Sequence, residues 1–311
     1  MRNAFIRNLT ELARKDARIV LVTADMGFSV FEKFMEEFPD RAFNTGIAEQ
    51  NSVGIASGLA LCKKIPFVYS IAPFVTMRPF EQVRIDVCYQ NLPVKLVGAG
   101  GGLTYGALGP THHSIEDISL MRALPNMTVF CPGDPVEAEL SMLEAHRIPG
   151  PAYIRLGKGG GDPIVHKTKP KFRLGKGIVL KKGKDVAIIS TGNMLQTAVQ
   201  ASEELKKHGV DCGVVSMPVV KPIDKELIIS MANEGHKILT LEEHSIIGGL
   251  GSAVAEVLAE GEAKARFARI ALPDRFCSEV GSQEYLRDLY GLSVKKVVSK
   301  VIGFAGGGEP R

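Results

Sequence analysis

The first 155 residues alternate between two hydrophobic periodicities. The segment "AFIRNLTELARKD" places apolar side chains at helical spacing, whereas "RIVLVTAD" is a short apolar run that ends in an acid. "NSVGIASGLALCK" is again helical, and four further runs predict strands: "IPFVYSI", "LPVKLVGAG", "MTVFCPG" and "PAYIRLG". Because these strands are apolar throughout and separated by helices, we predict a parallel sheet covered on both faces.

A second α/β pattern follows, in which "DVAIIST", "VDCGVVSM", "HKILTLEEH" and "ARFARIAL" alternate with helical segments. Between the two patterns the chain is rich in lysine, glycine and proline, which is typical of a connector. We therefore predict an α/β protein of two domains, each with a mostly parallel sheet flanked by helices. The predicted limits are residues 1–156, a basic linker at 157–184, and residues 185–311.

The net charge of +4 is concentrated in the predicted linker, which has eight lysines and one arginine against one aspartate. The rest of the chain is net acidic, and a basic connector beside an acidic body does not predict nucleic-acid binding. No apolar run is long enough for a membrane span, and the five dispersed cysteines form no CxxC pair. These features predict a cytoplasmic protein with free thiols, no membrane or nucleic-acid partner, and no metal site of its own.

Candidate chemistry lies where the predicted strands end, since ligands bind at the carboxyl ends of strands in open α/β sheets. Asp25, Gly100 and Pro132 occupy such ends. Glu49, in "GIAEQNSVG", is either the solvated start of a helix or a carboxylate in a dry site, where burial without a partner is costly. The stretch "GAGGGLTYGALGPTHHS" is glycine-dense but lacks the spacing of dinucleotide-binding and Walker loops.

Two further segments carry residues with two interpretations each. "GPTHHS" places His112 and His113 between a stiff loop and a helix, which suits proton transfer by neutral imidazole, although a surface histidine pair explains them as simply. "YSIAPFVTMRPFEQVRIDV" mixes aromatic residues with arginines after a strand, so Phe74 and Phe80 are either core residues or a platform for a ligand.

Taken together, these segments resemble a known family. "TADM", "GIAEQN", "YSIAPF", "GPTHHS" and "PAYIRLG" occur in the order and at the spacings of the pyrimidine-binding half of the transketolase family. "ISTGNMLQTAVQA", "KPID" and "EEHSIIGGLGSAV" resemble the carboxy-terminal domain of that family. The resemblance covers nearly the whole chain, and it implies a thiamine diphosphate pyrimidine-binding fold followed by a transketolase carboxy-terminal domain.

The resemblance implies roles for residues around the cofactor. In the family, a glutamate hydrogen-bonds the aminopyrimidine ring and promotes loss of a proton from the thiazolium carbon of thiamine diphosphate, and Glu49 occupies that position. Phe74 matches an aromatic that stacks on the pyrimidine, and Ile71 stands where relatives often have another aromatic. Asp25 matches an acid that helps to seat the cofactor. We expect the site around Glu49 to be water-poor.

The resemblance also implies a substrate site. His112 matches a histidine that handles hydroxyl protons of a donor sugar during carbon–carbon cleavage. Arg2, Ser29 and Arg155 fall at positions that hold the substrate phosphate, and the fork of arginine suits that contact.

Two positions depart from the family pattern. Leu108 replaces an acid that contacts a substrate hydroxyl, and Gly100 replaces a histidine near the end of the preceding strand. We therefore expect a specialised ketose rather than the ordinary pentose phosphates.

Nothing in the chain matches the GDG…N motif with which the family's amino-terminal domain binds Mg²⁺ and the diphosphate. The resemblance therefore predicts the carboxy-terminal subunit of a split transketolase, which transfers a two-carbon ketol unit from a ketose to an aldose. It would act with an amino-terminal subunit that carries the Mg²⁺ ligands, and by analogy we expect self-dimerisation and a heterotetramer of two and two. The alternatives are a chain like deoxyxylulose phosphate synthase or a 2-oxo acid dehydrogenase beta subunit, and a non-catalytic regulatory homologue.

Overall fold

The computed structural model of the chain describes residues 1–27, 30–157, 162–261 and 263–307. The strands are β1 (Ile19–Thr23), β2 (Ala42–Asn44), β3 (Ile65–Ile71), β4 (Lys95–Ala99), β5 (Thr128–Phe130), β6 (Ala152–Leu156), β7 (Ile178–Lys181), β8 (Val186–Ser190), β9 (Cys212–Ser216), β10 (Val219–Lys221), β11 (Lys237–Ser245) and β12 (Phe267–Leu272).

The helices alternate with these strands. They are α1 (Arg2–Lys15), α2 (Glu32–Glu37), α3 (Glu49–Leu61), α4 (Ala72–Met77), α5 (Phe80–Gln82), α6 (Asp117–Ala123), α7 (Pro135–Arg147), α8 (Leu195–Lys207), α9 (Lys225–Asn233), α10 (Leu250–Glu260), α11 (Gln283–Leu289) and α12 (Val294–Ala305). A π-helical segment, Val83–Tyr89, follows α5 directly, and 3₁₀ turns lie at Pro39–Arg41, Gly106–Leu108 and Gly192–Met194.

The first sheet has the strand order β10-β5-β6-β4-β3-β1-β2. All its pairings are parallel except that of β10 with β5. The five strands that the sequence predicts here, β1, β3, β4, β5 and β6, are buried at every residue. The prediction of a sheet covered on both faces is therefore confirmed. Strands that are buried on both faces have nearly continuous apolar sequences, which is the pattern seen here.

The second sheet has the order β12-β11-β8-β9-β7 and is parallel except for the edge strand β7. The strand β7 lies inside the segment predicted to be a linker. Leu180 of this strand packs on the core of the second domain, and Lys181 donates from Nζ to the Ser202 hydroxyl at 2.7 Å. The segment is basic overall, but its short apolar run at Ile178–Lys181 forms a strand of the second sheet.

The two domains are joined by more than the connector. After β9 the chain crosses over, and β10 pairs antiparallel with β5 of the first sheet, Val219 opposite Phe130. Lys221 then donates hydrogen bonds from Nζ to the carbonyl oxygens of Arg122 and Leu124. Residues from the second part of the sequence thus complete the first sheet, which a division at the linker does not predict.

Helix α3 lies against the π-helical segment with one face and leaves the other open. Its inward residues, among them Val53 and Ala56, are buried, whereas Gly54, Ile55, Gly58 and Leu61 are exposed. A helix that is apolar on both faces is normally covered on both. The described residues contain no helix long and apolar enough to cross a membrane.

Candidate active site

Glu49 is the first residue of α3 and lies at the carboxyl edge of the first sheet. Its side chain is 2% exposed. Ser70, the penultimate residue of β3, donates a hydrogen bond from Oγ to Glu49 Oε1 at 3.1 Å, and Arg78 donates from Nη1 to Oε2 at 2.8 Å. The interpretation of Glu49 as a solvated helix end is therefore wrong, since the carboxylate is held in a dry site by two donors from other elements.

Phe74 shares the guanidinium of Arg78 with this carboxylate, and Ile71 directly follows Ser70 in β3. Ile71 ends β3 and is buried, and α4 begins at the next residue, so the strand-to-helix turn presents Phe74 at the edge of the sheet. The guanidinium carbon of Arg78 lies 3.8 Å from the centre of the Phe74 ring, while the same guanidinium binds Glu49. Phe74 is half-buried, so it belongs to the wall of the site rather than to the core.

His112 completes this group from another loop. Its imidazole lies edge-on to Phe74, with 5.2 Å between ring centres and 64° between planes, and Nδ1 lies 2.9 Å from the hydroxyl of Thr111. The neighbouring His113 is buried, and burial lowers its pKa. The structure thus separates the histidine pair: His112 joins Glu49 and Phe74, whereas His113 packs inside.

Tyr105 also lines this side of the site, 6.0 Å from His112 between ring centres. Gly100 has a φ of +82°, and a Cβ added there would lie 2.0 Å from the Tyr105 ring. The tyrosine therefore fills the space that any side chain at position 100 would need. Burial raises the pKa of Tyr105, and the positive charge of nearby Arg2 opposes that rise.

Arg2 belongs to the same region. Burial raises the pKa of Tyr69 as well, and Arg2 lowers it again through its charge and a side-chain hydrogen bond. Tyr69 lies in β3 one residue before Ser70, so Arg2, at the start of α1, lies beneath the same sheet edge. The Nε of Arg2 is buried and has no hydrogen-bond partner among the described residues.

Asp25 lies one strand further along the edge, two residues beyond β1. Its backbone N–H donates to Asn44 Oδ1, and Asn44 Nδ2 donates back to Asp25 Oδ1, both at 3.0 Å. These bonds hold Asp25 in a left-handed conformation with φ of +52°, which Asp adopts more readily than most residues. Asp25 and Asn44 line an open cavity of about 210 Å³. Ser29, which the sequence predicts as a contact of the substrate phosphate, lies outside the described residues.

Arg155 is bound mainly by the protein itself. Its side chain is 3% exposed, and Nε donates to Asp117 Oδ2 at 2.8 Å. Nη2 donates to two backbone oxygens, Ser114 O at 2.9 Å and Glu243 O at 3.0 Å. Nε and Nη2 are thus occupied by the protein, so Arg155 holds backbone of both domains beneath the site, and contact of its remaining nitrogen, Nη1, with a substrate phosphate stays a prediction.

The Arg155 network fixes the loop that carries His112. Gly102 and Ser114 form a two-residue antiparallel bridge at the two ends of this loop. A Cβ at Gly102 would lie 2.3 Å from the carboxylate of Glu243 in the second domain, and Glu243 accepts a hydrogen bond from Arg287 Nε at 2.7 Å. The glycine-dense stretch therefore serves close packing between domains, which explains why it has no phosphate-loop spacing.

Sequence reasoning missed three residues of the site. Ser70 and Arg78 hold Glu49, and Tyr105 stands beside His112. Arg78 carried a signal, because it follows a strand end within a run of aromatic residues. Ser70 and Tyr105 carried none, since a serine in a strand and a tyrosine in a glycine loop are ordinary features. Among the described residues, no three or more His, Cys, Asp or Glu side chains are grouped so as to hold a metal ion.

Comparison with known proteins places this arrangement in context. The family model described as "Transketolase, pyrimidine binding domain" matches residues 1–161, and "Transketolase, C-terminal domain" matches residues 175–297. A 6-deoxy-6-sulfo-D-fructose transketolase subunit from Clostridium sp. (strain MSTE9) is 39% identical over 96% of this chain and 92% of its own. An apulose-4-phosphate transketolase subunit from Actinobacillus succinogenes is 36% identical over 95% of each chain.

A solved structure gives the same result. A split-gene transketolase in the form of an inactive beta4 tetramer is 40% identical and superposes with a TM-score of 0.88, covering 98% of this chain and 97% of that one. The similarity includes both domains, and therefore both the Glu49 edge of the first sheet and the second-domain residues that support the His112 loop.

Proposed function

Because the chain belongs to the transketolase family, as the carboxy-terminal subunit of a split transketolase, we propose that Glu49 and Phe74 hold the aminopyrimidine of thiamine diphosphate. The observation that carries this proposal is the buried Glu49 carboxylate. The guanidinium of Arg78 binds this carboxylate and also stacks on the face of Phe74. A carboxylate and an aromatic face at such a strand end fit a flat, nitrogen-containing ring.

The residues present fit this group in shape and in chemistry. A planar guanidinium already lies 3.8 Å above Phe74 and donates to Glu49 at 2.8 Å, and an aminopyrimidine needs the same two contacts. When bound, thiamine diphosphate supplies the carbon nucleophile that accepts the ketol unit. Glu49 would hold a proton against the pyrimidine ring nitrogen, and the low exposure of its carboxylate strengthens that hydrogen bond. Ile71 would supply an apolar side wall.

Asp25 and Arg2 take supporting roles in the proposal. Asp25, fixed by Asn44 at the end of β1, would seat the cofactor from the neighbouring strand. Arg2 would face the acidic end of the substrate, because it lies near Tyr69 and Tyr105 and keeps an unused donor at Nε. We keep Ser29 as a proposed ligand of the same acidic group on the basis of its sequence position alone.

His112 would handle the hydroxyl protons of the donor sugar. Its ring contacts Phe74, so a sugar attached to a cofactor on Phe74 would lie within its reach. The Thr111 hydroxyl at Nδ1 holds the ring, and Nε2 would then be the nitrogen that meets the substrate. Imidazole is suited to accept and return a proton at neutral pH.

The substrate would be a ketose with an acidic group at its far end. The two relatives described above are named for a sulfo sugar and for a sugar phosphate, which both carry an acidic group. Leu108 is 51% exposed in the 3₁₀ turn of the His112 loop, where it would offer an apolar contact instead of a hydroxyl acceptor. The proposal therefore favours a specialised ketose over the common pentose phosphates.

A partner chain would complete the site. The open face of α3 bears Ile55 and Leu61, which are 38% and 62% exposed, beside Ile47 at 76%. Added Cβ atoms at Gly54 and Gly58 would meet nothing within 4 Å, so another backbone is able to approach closely there. Exposed apolar surface of this kind marks an interface.

We propose that self-association at this face and an amino-terminal subunit, which would carry the Mg²⁺ ligands, build a heterotetramer of two and two. Cytoplasmic location remains part of the proposal, and all five thiols are free.

The test is reconstitution of the full chain with an amino-terminal transketolase subunit, followed by calorimetric titration with thiamine diphosphate and Mg²⁺. We expect saturable binding and ketol transfer from a ketose phosphate. Glu49→Gln should assemble normally but lose turnover by about two orders of magnitude or more, because removing a group that positions charge in a buried site costs that much. Reaction with pyruvate instead of a ketose phosphate would favour the synthase or dehydrogenase alternative. A pair that binds no thiamine diphosphate would leave the regulatory alternative in place.

A further inference from the structure

Arg78 lies where the proposed function places the aminopyrimidine ring of the cofactor. It follows α4 directly, and its side chain returns over Phe74 to reach Glu49. The guanidinium carbon is 3.8 Å from the ring centre of Phe74, and Nη1 is 2.8 Å from Glu49 Oε2. The hydrogen bonds of Arg78 to described residues go to Glu49 alone, and its side chain is 44% exposed.

Guanidinium and aminopyrimidine present the same face to these two residues. Both are flat, both offer N–H groups in their plane, and both stack on an aromatic ring. An aminopyrimidine stacked on the face of Phe74 that Arg78 covers would need the volume that the guanidinium fills. Because Arg78 uses both contacts, a cofactor that binds as proposed must first displace it.

We propose that Arg78 is a placeholder for the aminopyrimidine: it neutralises Glu49 and covers Phe74 when no cofactor is bound, and it moves toward solvent when the cofactor enters. This inference rests on the proposed function. The half-exposed side chain has open solvent on one side, so it is able to leave without disturbing the fold. Glu49 is not able to leave, because it is fixed in α3 and bonded to Ser70.

A placeholder has a consequence for stability in the absence of cofactor. Without Arg78, the Glu49 carboxylate would remain largely buried but would lose its charged partner, and an unpaired buried charge is strongly unfavourable. Arg78 should therefore stabilise the subunit when no cofactor is bound. Once the cofactor occupies the site, Arg78 contributes nothing to that carboxylate.

A placeholder also competes with the cofactor. Because the site is open to the ring only in the fraction of molecules where Arg78 has left, the apparent affinity for the ring is lowered by that fraction. Removing the arginine should therefore strengthen binding, which is the opposite of what a residue that binds cofactor or substrate would show.

The first experiment uses the isolated full chain and needs no activity. Arg78→Ala should lower the midpoint urea concentration of unfolding, and it should lower it much less in a Glu49→Gln background, where no charge needs a partner. Arg84→Ala, at an exposed arginine of the neighbouring π-helical segment, is the matched control and should behave alike in both backgrounds. Equal effects of Arg78→Ala in the two backgrounds would contradict the assigned contact.

The second experiment titrates the reconstituted pair with thiamine diphosphate and Mg²⁺. Arg78→Ala should bind about fivefold or more tightly than wild type, or associate faster by a similar factor, since no side chain has to be displaced. Arg78→Lys, which keeps the charge but not the flat fork, should fall between the two. Weaker or unchanged binding by Arg78→Ala would overturn the placeholder while leaving the proposed function intact, whereas failure of wild type to bind would refute the proposed function itself.

Discussion

Arg155 and Asp117 form an ion pair that is shielded from solvent: Nε lies 2.8 Å from Oδ2, and the two side chains are 3% and 0% exposed. Tyr153 donates a second hydrogen bond to the same carboxylate oxygen, at 2.6 Å. Burial alone would raise the pKa of the Asp117 carboxyl, but the guanidinium holds that pKa below its ordinary value. The pair links strand β6, helix α6 and, through Glu243 O, the second domain beneath the His112 loop.

Asp117→Asn should destabilise the isolated chain severely. The substitution keeps the size of the side chain but leaves the Arg155 charge buried without compensation, which typically costs about 3–5 kcal/mol. Urea unfolding of wild type and variant gives the difference. Glu37→Gln, which breaks the exposed pair with Arg14, is the control and should change the midpoint far less. An unfolding midpoint equal to that of wild type would show that Asp117 is not ionised in the folded chain.

His112→Ala should uncouple turnover from cofactor binding. The imidazole borders Phe74 but is not bonded to Glu49, so the reconstituted pair should titrate thiamine diphosphate as wild type does. Loss of a proton-transferring side chain should lower kcat by about 10²- to 10⁴-fold. His208→Ala, at the exposed end of α8, provides the control and should leave kcat unchanged. Steady-state rates of His112→Ala equal to those of wild type would remove His112 from the chemistry.

Two substitutions at Gly58, on the open face of α3, should have different effects: one should raise stability and the other should block assembly. Gly58→Ala should stabilise the isolated chain by about 0.5–1 kcal/mol, because a helical glycine with free space around it gains helix propensity on receiving a methyl group. Gly58→Leu should fold as well as wild type but block close approach of another chain at this face.

Sedimentation velocity of the chain alone and of the reconstituted pair measures the effect on assembly. Lys206→Leu, at an exposed position of α8 remote from α3, controls for added apolar surface. If Gly58→Leu assembles like wild type, the interface lies elsewhere and Ile55 and Leu61 need another explanation.

The order of strands in the chain and the burial of the sheets were predictable from the sequence. A strand that is covered on both faces of its sheet has an unbroken apolar sequence, which is easily recognised. Glu49 shows where this information ends. Its neighbours Ser70 and Arg78 lie 21 and 29 residues away in the chain, so only the folded sheet edge brings them to the carboxylate. Family resemblance singled out Glu49, but it carried no information on what holds the acid in place.

Arg155 and β10 show a second limit, which is the contact between domains. The resemblance implies that Arg155 holds a substrate phosphate, yet Nε binds Asp117, at a sequence separation of 38 residues, and Nη2 donates to backbone oxygens of both domains. Likewise, Val219–Lys221 reads as part of the second domain and pairs with the first. Both outcomes depend on how two units dock, and hydrophobic periodicity within each unit does not specify docking.

Lys95 gives a pH dependence whose sign follows from its burial. It is the first residue of β4, it is fully buried, and Nζ donates to Ile148 O at 2.8 Å and to Gly150 O at 2.6 Å. Burial lowers the pKa of Lys95 to about 7, whereas an unfolded lysine titrates at about 10.4. Between these values the unfolded chain binds a proton that the folded chain does not.

The contribution of Lys95 to the free energy of unfolding should therefore rise with pH from about 7 to about 10, by up to roughly 1.4 kcal/mol per pH unit, and stay flat below that window. The difference in unfolding free energy between wild type and Lys95→Met, measured at several pH values, isolates this contribution from other titrating groups. Loss of the two hydrogen bonds in the variant adds an offset that does not vary with pH while Lys95 stays in one charge state. Lys206→Met, at an exposed position of α8, should give a difference that is flat across the range. A flat difference for Lys95→Met as well would mean that the buried ammonium keeps its proton when the chain folds, with the two carbonyl oxygens supplying enough stabilisation to offset its burial.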